Sequence, residues 1–302
     1  MALPIIVIYQ GKARFLWYVL RQAKFFNPES EVILLGDGTN LDIDFVKHYS
    51  IKDYSKTATE FAKHYKHLST NPYHFELICI QRWFIILELM KKHEIEKCIH
   101  IDADLLVYYD VSEKQKDFAS FDFTLTESWG PQSLYINRVE GLAKFCQYIM
   151  EAYVEPENMS KLENWINDYW KQYKYGGICD MYFFNSYQQI HPNLVVNLQA
   201  PDGHFDNNFN HSEGFVAKHG RKKIIFRNGM PYGLDEKDHR EVRFFTLHMQ
   251  GGAKRFIPFY SSQKDWAWFK RLIPFLLSCY YQLARKAFNK LKKNFANKNS
   301  GN

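Results

Sequence analysis

Short apolar runs alternate along the chain with longer amphipathic stretches, and this pattern predicts a sheet flanked by helices. Residues 3–9 and 31–36 are apolar runs of strand length. Between them, residues 13–26 have the hydrophobic spacing of a helix, which Asn27 and Pro28 end. A strand, a helix and a second strand in this order indicate a βαβ unit, so the prediction is an α/β fold with a mainly parallel central sheet.

The same alternation continues toward residue 250. Further helices are predicted at residues 56–68, 75–93, 138–154 and 159–173, and from Asp180 onward. Further strands are predicted at residues 98–101, 121–126, 223–226 and 243–247. Residues 200–214 are polar and irregular, and a loop of this length in a compact domain predicts a substrate lid or acceptor loop. Its His204 and His211 are interpreted as loop residues, because no partner at metal-ligand spacing accompanies them.

Two carboxylates follow the strand at residues 98–101, separated only by Ala103. These acids, Asp102 and Asp104, suit a ligand better than a core, because open α/β sheets bind substrates beyond the carboxyl ends of their strands. Both can reach one Mg²⁺ or Mn²⁺ ion if the chain kinks at Ala103, and such ions are usually shared with substrate phosphates. The alternative is structural, with Asp102 capping a turn and Asp104 solvated.

Three polar side chains are candidates for a nucleotide site at the same sheet edge. Tyr9 and Gln10 end the first strand, and Asp37 follows the second strand within a Gly-Asp-Gly turn. A nucleotide base or ribose would lie beside them, because ligands of such sheets bind at the carboxyl ends of the strands. The chain has no Gly-x-Gly-x-x-Gly or Walker pattern, so a Rossmann dinucleotide site or a P-loop is not expected.

The segment His-Met-Gln-Gly-Gly-Ala-Lys follows the strand at residues 243–247. A lone histidine after a strand is usually only a hydrogen-bonding residue. Together with its neighbours, His248 would instead complete a metal and diphosphate site. The imidazole would bind the metal, Gly251 would allow close backbone approach, and Lys254 would place a point charge on a phosphate.

Two more residues have both a functional and a structural interpretation. Arg82 lies on the helix before the acidic pair. It is either a surface residue with a snorkelling side chain or a partner of the acidic pair or of a diphosphate. Asp180 begins a helix after Gly176 and Gly177, where glycines let the backbone approach a ligand. The helix dipole alone also favours an acid at that position.

Composition and charge narrow the function classes. The five cysteines are widely spaced, with no Cys-x-x-Cys pair and no secretory signal, which favours a reducing compartment over a zinc site or a disulfide framework. The net charge is +6, but nine Lys and Arg and a single Asp lie between residues 264 and 298, so the rest of the chain is slightly acidic. Nucleic-acid binding is therefore not expected.

Residues 263–302 are predicted to form a basic, amphipathic helical tail after a domain at residues 1–262. Its longest uncharged run, residues 272–284, is too short to span a bilayer. Aromatic residues among Lys and Arg are typical of a helix in the membrane interface, attracted to anionic lipids through residues 264–298. The alternatives are a helix docked on the core with a basic outer face, and a basic tail on a partner protein. Pro274 is predicted to kink or split the helix.

These motifs together resemble the GT-A fold glycosyltransferases, and glycosyltransferase family 8 in particular. The Asp-Ala-Asp of residues 102–104 matches the DxD motif, and residues 248–254 fit the family's His-x-x-Gly-x-x-Lys pattern. Arg82 resembles the arginine on the helix that precedes the motif. Residues 180–185 resemble the family's Asp-Gln-x-x-Leu-Asn segment beside the reacting centre. The resemblance covers roughly residues 3–260.

The resemblance implies a GT-A fold, a Rossmann-like, mixed and mainly parallel sheet flanked by helices, followed here by the C-terminal amphipathic tail. It implies a nucleotide-sugar donor, usually a UDP-sugar, and a divalent ion, usually Mn²⁺ with Mg²⁺ as the alternative, held by Asp102, Asp104 and His248. Family 8 enzymes retain configuration, so Asp180 would orient the acceptor or shield the cationic sugar. An inverting enzyme would need Asp180 or Glu127 as general base. The residues expected to bind the donor are Tyr9, Gln10, Asp37, Arg82, Asp102, Asp104, Gly251 and Lys254.

The expected activity is transfer of a hexose-type sugar to a glycan or lipid-linked acceptor in surface polysaccharide synthesis. The enzyme would act peripherally on the cytoplasmic face of the cell membrane. One alternative is a sugar-phosphate nucleotidyltransferase, although the Gly-rich N-terminal loop bearing Arg or Lys that is typical of that class is absent here. The other is a catalytically silent glycan-binding or scaffold module on the same fold. The complete set of Asp102, Asp104, His248 and Lys254 favours the enzyme.

Overall fold

The computed structural model describes residues 2–126 and 130–299, with side chains as far as residue 289. Glu127, a predicted candidate base, lies outside the described residues. The strands are β1 (Ile5–Tyr9), β2 (Val32–Gly36), β3 (Lys47–Ser50), β4 (Cys98–Ile101), β5 (Leu105–Val107), β6 (Phe123–Leu125), β7 (Ser133–Ile136), β8 (Val195–Asn197), β9 (His204–Phe205), β10 (Ala217–Lys218), β11 (Arg221–Lys222), β12 (Ile224–Arg227), β13 (Met230–Leu234) and β14 (Glu241–His248). The α-helices are α1 (Leu16–Phe26), α2 (Lys56–His64), α3 (Tyr73–Lys92), α4 (Val111–Gln115), α5 (Val139–Val154), α6 (Pro156–Gln172), α7 (Asp180–Ile190), α8 (Ile257–Tyr260) and α9 (Trp266–Asn299). Short 3-10 helices lie at Ile51–Tyr54, Lys116–Phe118 and Gly251–Phe256.

Within the described residues, the central sheet has seven strands in the order β3-β2-β1-β4-β7-β6-β8. Neighbouring strands run parallel except where β7 is involved, which is antiparallel to both β4 and β6. Helices cover the sheet on its faces, and a helix follows at the C-terminal end. The predicted fold class, a mixed and mainly parallel α/β sheet flanked by helices with a C-terminal helix, is confirmed.

The strand sequences explain why this sheet is buried on both faces. In β1, Ile5 and Val7 belong to one hydrophobic core and Ile6 to the other, and β2 divides Leu34 and Ile33 in the same way. Successive side chains of a strand point to opposite faces, so a continuous apolar run requires packing on each side. Helices α2, α3, α5 and α7 pack on one face, whereas α1 and a second sheet pack on the other.

The second sheet has the order β12-β13-β14-β5 and is antiparallel, with β9 alongside β14. Strands β10 and β11 form a separate hairpin. Strand β4 belongs to the central sheet and β5 to the second sheet, although only Asp102, Ala103 and Asp104 separate them. The chain therefore passes from one sheet to the other through the Asp-Ala-Asp segment.

Four helices begin one to three residues away from the predicted start, and α1 and α6 differ the most. Helix α1 begins at Leu16 rather than at residue 13, because the side chain of Asn40 accepts a hydrogen bond from Ala13 N and holds the preceding loop in place. Helix α6 begins at Pro156 rather than at residue 159. Proline suits that position, since its fixed φ matches the helix and its missing N–H would have no helical partner there.

The C-terminal helix α9 lies against the rest of the molecule. Arg271 pairs with Asp42 at 3.2 Å, and the buried Phe275 packs edge-on against Tyr18 with ring centroids 5.9 Å apart. Pro274 lies inside this one helix, so the alternative in which it splits the helix is wrong. Packing of the adjacent Phe275 holds this turn on the core. Over the described residues, no helix combines the length and apolar character needed to cross a bilayer.

Candidate active site

The two acids of the Asp-Ala-Asp segment lie in the turn between β4 and β5. The backbone of Asp102 donates to Gln132 O at 2.9 Å and accepts from Leu105 N at 3.0 Å, which fixes the turn. The side chain of Asp102 is 24% exposed and that of Asp104 only 11%. The interpretation of Asp104 as a solvated residue is therefore wrong.

His248 meets this acidic pair because its strand is hydrogen-bonded to β5. In the antiparallel ladder, His248 lies opposite Leu105, the residue after Asp104. Its Nε2 atom is 3.4 Å from Asp104 Oδ1 and 3.7 Å from Asp102 Oδ2. Ligand atoms of Asp102, Asp104 and His248 all lie within 4.8 Å of one another. The structure thus brings together the three residues predicted as metal ligands.

The hydrogen bonding of His248 leaves a place for a cation among these groups. Its Nδ1 atom is 2.7 Å from the carbonyl oxygen of Asn207, so Nδ1 carries the hydrogen and donates it. The lone pair of Nε2 then faces two carboxylate oxygens, which is repulsive without a proton or a metal ion between them. Two carboxylates and one imidazole could hold a divalent cation.

Without a cation, the charges favour a proton at this position. Burial by itself lowers the pKa of His248, but the hydrogen bond and charge of Asp104, together with the charge of Asp102, raise the pKa to about 9. For Asp104, burial raises the pKa, and the hydrogen bond and charge of His248 bring it below the ordinary value. A metal ion bound to this cluster would therefore have to displace a proton from His248 at neutral pH.

Arg82 joins the acidic pair to Asp180. From α3, its Nη1 atom donates to Asp102 Oδ1 at 2.6 Å, and its Nε atom donates to Asp180 Oδ2 at 3.1 Å. Trp83 Nε1 donates to the same oxygen of Asp180 at 3.3 Å. The side chain of Arg82 is 12% exposed, so its interpretation as a snorkelling surface residue is wrong. Arg82 is an internal counter-ion shared by two carboxylates.

Gly177, which precedes Asp180, packs closely against another segment of the backbone. Gly177 has φ +153°, and a Cβ there would lie 2.3 Å from Leu68 O. Ile178 N donates to the same carbonyl at 2.8 Å, and Ser69 pairs with Gly177 in an isolated bridge. The close approach is therefore to the chain at residues 68–69, and it sets the position from which α7 starts with Asp180.

Lys254 contacts the acidic pair from the solvent side. Its Nζ atom is 3.1 Å from Asp104 Oδ2, the oxygen that His248 does not approach, and its side chain is 39% exposed. Gly251 begins the short 3-10 helix that carries Lys254, with φ +53° in the left-handed region that favours glycine. The ammonium group can therefore exchange Asp104 for another anion.

The predicted nucleotide residues lie at the same edge, as the strand order β2-β1-β4 requires. Burial raises the pKa of Tyr9, with Lys254 opposing and the charges of Asp104 and Asp37 adding to the rise, so its hydroxyl lies close to the cluster. Asp37 Oδ2 accepts from Gly11 N at 2.8 Å and shapes the loop after β1. Gln10 is exposed and its side chain makes no hydrogen bond to the described residues.

A buried ion pair, Asp206 with Lys222, lies behind His248 and was not predicted from the sequence. Asp206 Oδ2 accepts from His248 N at 2.8 Å, and Lys222 Nζ is 2.9 Å from Asp206 Oδ1. Both side chains are fully buried. In the sequence, Asp206 was marked only by its place in the polar stretch at residues 200–214. Its pairing with Lys222 could not be predicted, because it depends on the fold.

A second group of possible ligands lies at this ion pair. His204, Asp206 and Glu213 have ligand atoms within 4.8 Å of one another. Lys222 already supplies a positive charge there, at 2.9 Å from Asp206 and 2.6 Å from Glu213. His204 lies in β9, so its interpretation as a loop residue is wrong, although nothing here requires it as a metal ligand.

No protein-family model matches the chain, and no curated protein matches its sequence. Solved structures with a similar fold include mouse xyloside xylosyltransferase 1 in the apo form, with 14% identity, coverage of 66% of this chain and 86% of that chain, and a TM-score of 0.41. The galactosyltransferase LgtC, in complex with donor and acceptor sugar analogs, has 12% identity, coverage of 89% and 100%, and a TM-score of 0.45. The bifunctional glycosyltransferase WbbM, in the apo form, has 11% identity, coverage of 90% and 52%, and a TM-score of 0.47. Because these TM-scores lie below 0.5, an activity has to be inferred from the site itself.

Proposed function

We propose that the chain is a GT-A fold glycosyltransferase that moves a sugar from a UDP-sugar to a glycan or lipid-linked acceptor. The observation that carries this proposal is the cluster of Asp102, Asp104 and His248, with Lys254 on the same carboxylate. This cluster lies beyond the carboxyl end of β4, where open α/β sheets bind ligands. Two carboxylates, an imidazole and an ammonium group at one place suit a divalent cation together with a diphosphate.

A divalent ion held by Asp102, Asp104 and His248 would neutralise the diphosphate as it leaves. Lys254 would exchange Asp104 for a phosphate oxygen, since its side chain is partly exposed. Arg82 stays with Asp102 and fixes the direction of that carboxylate. Asn207 fixes the tautomer of His248 by accepting the hydrogen of Nδ1. These residues position and neutralise charge, and no proton transfer is required of them.

We further propose that the reaction retains configuration. Asp180 Oδ2 accepts hydrogen bonds from the side chains of Arg82 and Trp83, and Asp180 Oδ1 accepts one from Met181 N at 2.9 Å. The side chain of Asp180 is only 6% exposed. A general base for an inverting reaction needs a carboxylate free to accept a proton from the acceptor hydroxyl. Of the two candidate bases, Glu127 lies outside the described residues, and Asp180 has no such freedom. Asp180 is better suited to hold Arg82 and to oppose positive charge that develops on the sugar. The acceptor hydroxyl would attack on the face from which the diphosphate leaves. The bond from the sugar to the diphosphate would break, and the hydroxyl proton would pass to an oxygen of the leaving diphosphate.

We also propose that α9 attaches the enzyme to the cytoplasmic face of the cell membrane, where it would act in surface polysaccharide synthesis. Ile273, Leu277 and Tyr280 follow one another at helical spacing and are 53%, 65% and 74% exposed. Lys270 and Arg285 accompany them, as is typical of a helix at an anionic membrane surface. Over the described residues, the outer side of α9 is thus mainly apolar and aromatic, which supports membrane contact over a docked helix with a basic outer face.

The experiment that tests the donor site is calorimetry of UDP binding with and without Mn²⁺. The wild type is compared with Asp104→Ala and with Asp53→Ala, an exposed acid on another part of the chain, as matched control. Losing an outer-shell partner of a metal ligand usually costs roughly 10–100-fold in affinity, so losing Asp104 is expected to cost about 100-fold or more. Mn²⁺-dependent binding that survives in Asp104→Ala, or no nucleotide binding by the wild type, would contradict the proposal.

Hydrolysis of the donor separates an enzyme from a silent binding module. A glycosyltransferase without acceptor is expected to release UDP slowly from its own UDP-sugar, because water replaces the acceptor hydroxyl. UDP release is measured for a panel of UDP-sugars in the wild type and in Asp104→Ala. A chain that binds UDP with Mn²⁺ but turns over none of the panel, with or without glycan acceptors, would be a binding module.

A further inference from the structure

A groove with a volume of about 400 Å³ lies between α9 and the loops that border the candidate active site. Its size falls within the range of small-molecule sites, roughly 300–1,000 Å³. One wall comes from the loop after β1 and from the segment that carries Gly251 and Lys254, and the other wall comes from α9. Tyr9 and Lys254 belong both to the groove and to the site, so the two are continuous.

The groove is strongly positive. Among the residues that the structure describes, no acidic side chain lines it. Its polar and charged lining includes Lys12, Arg14, Lys254, Arg255, Gln282 and Lys286. Two of these cations are paired, Lys12 with Asp42 and Lys254 with Asp104. Arg14, Arg255 and Lys286 are exposed and have no ion pair with any described residue. Unpaired cations that line one cavity without an acid favour an anionic ligand.

The two sides of α9 have different chemistry. Phe275, Cys279, Gln282 and Lys286 recur at intervals of four, three and four residues, so they share one face, and this face lines the groove. The exposed apolar face, represented by Leu277, lies on the opposite side of the same helix. If α9 rests on a membrane as proposed above, the groove lies roughly one helix diameter, about 10 Å, from the headgroups.

We propose that this groove binds a phosphate or diphosphate group, with the phosphorylated end of a lipid-linked acceptor as its source. The proposal rests on the proposed function, because it assigns the acceptor of the same reaction. Arg14 on one wall and Lys286 on the other would hold the anion. An acceptor anchored in the bilayer would enter beside α9 and present its sugar toward the cluster at Asp104. The phosphate chemistry is shared with the nucleotide donor, so the test separates these two sources.

The first measurement is calorimetry of inorganic pyrophosphate binding without metal, in the presence of EDTA. The test variant is Arg14→Gln with Lys286→Gln, which removes one cation from each wall. The matched control is Lys52→Gln with Lys174→Gln, which removes two exposed cations elsewhere. The wild type and the control are expected to bind pyrophosphate equally, and the test variant about tenfold or more weakly, since a hydrogen bond to a charged group is worth roughly that factor.

The second measurement identifies the source of the phosphate. Geranyl diphosphate serves as a short prenyl diphosphate, and Mn²⁺–UDP serves as the nucleotide. An acceptor groove predicts that the test variant loses geranyl diphosphate affinity by the same factor as pyrophosphate and keeps its Mn²⁺–UDP affinity. An equal loss of Mn²⁺–UDP affinity would instead make the donor the source and would overturn the assignment to the acceptor.

The groove and the donor site can fail separately. Asp104→Ala is expected to lose Mn²⁺–UDP binding and to keep metal-free pyrophosphate binding, because Asp104 does not line the groove. Pyrophosphate binding that is absent from the wild type, or that is equal in the test and control variants, overturns the groove proposal and leaves the donor site untouched. Circular dichroism of each variant verifies the fold, which exposed Arg14 and Lys286 are not expected to affect.

Discussion

At the scale of single residues, the most consequential contact is the buried ion pair behind His248. Lys222 and Asp206 are both fully buried and 2.9 Å apart. Burial strongly disfavours an isolated charge, so each of the two depends on the other. Because Asp206 Oδ2 also accepts from His248 N, the pair fixes the backbone from which the imidazole extends. Lys222 therefore acts on the site through another residue and is a positioning residue.

Removing Lys222 is expected to destabilise the fold strongly. Lys222→Met leaves the Asp206 carboxylate buried without its cation, and breaking such a pair typically costs about 3–5 kcal/mol. Urea denaturation measures the free energy of unfolding. Adding Asp206→Asn to Lys222→Met removes both charges and is expected to recover most of the loss. A double variant no more stable than Lys222→Met would show that packing, rather than charge, dominates.

His204 is expected to make the protein sensitive to acid. Burial, with a smaller contribution from Lys222, lowers its pKa from 6.5 to about 4. Between these values the unfolded state binds more protons than the folded state, so stability falls as the pH falls from about 6.5 to about 4. His204→Phe removes this contribution to the pH dependence of stability. Between pH 7.5 and 4.5, the wild type is expected to lose about 2–3 kcal/mol more than the variant.

Urea denaturation at the two pH values measures this difference, and His74→Phe serves as its control. His74 is exposed, so its replacement should leave the pH dependence as in the wild type. Equal pH dependence in the wild type and His204→Phe would contradict the prediction.

The sequence predicted the residues of the site better than their partnerships. Asp102, Asp104, His248 and Lys254 were selected as candidates because each is marked by a local pattern after a strand, and the structure places their side chains together. The partnership of Arg82 with Asp180 joins residues 98 positions apart. That of Asp206 with His248 joins residues 42 positions apart. Such pairs depend on how helices and strands pack, which hydrophobic periodicity does not specify.

At the scale of elements, the site depends on the change of sheet between β4 and β5. The strands were predictable from their apolar runs, and the parallel centre from the opening βαβ unit. The passage of the chain into a second, antiparallel sheet was not predictable, because it depends on which strand β5 joins. The register of β14 against β5 then places His248 beside Asp104, so one strand pairing explains why the cluster of Asp102, Asp104 and His248 forms.

The junction before α7 provides a test at this scale. Gly177→Ala would place a Cβ 2.3 Å from Leu68 O, on a backbone with φ +153° that side chains rarely adopt. The combined strain and overpacking are expected to cost about 2–5 kcal/mol of unfolding free energy. Gly252→Ala is the matched control, because its Cβ would meet nothing within 4 Å, and it should change stability by about 0.5 kcal/mol or less. Similar stabilities of the two variants would contradict this prediction and would mean that the backbone at residues 68–69 can move aside with little loss of stability.

At the scale of the whole molecule, α9 connects the candidate active site to the protein's surroundings. The sequence predicted an amphipathic tail. An amphipathic helix has one apolar side, which could face either the core or a membrane. In the structure, buried contacts such as those of Phe275 hold one side of α9 on the core, while Leu277 and Tyr280 remain exposed on the other. The tail is therefore a docked helix that also presents an apolar surface. From the sequence alone, docking on the core and membrane contact were alternatives.

If this surface attaches the protein to membranes, charges placed on it should release the protein. Leu277→Glu with Tyr280→Glu replaces two exposed apolar groups and adds negative charge beside an anionic surface. Burial of one such side chain is worth about 1.5–3 kcal/mol. The affinity for vesicles of phosphatidylglycerol and phosphatidylcholine, measured by co-sedimentation, is therefore expected to fall about tenfold or more.

The control for this prediction is Leu41→Glu with Ile190→Glu, which changes residues of similar exposure elsewhere and should sediment like the wild type. High salt should weaken membrane binding by the wild type only in part, because salt screens the electrostatic contribution to binding but not the hydrophobic contribution. Equal sedimentation of both double variants would show that the outer side of α9 does not bind the bilayer.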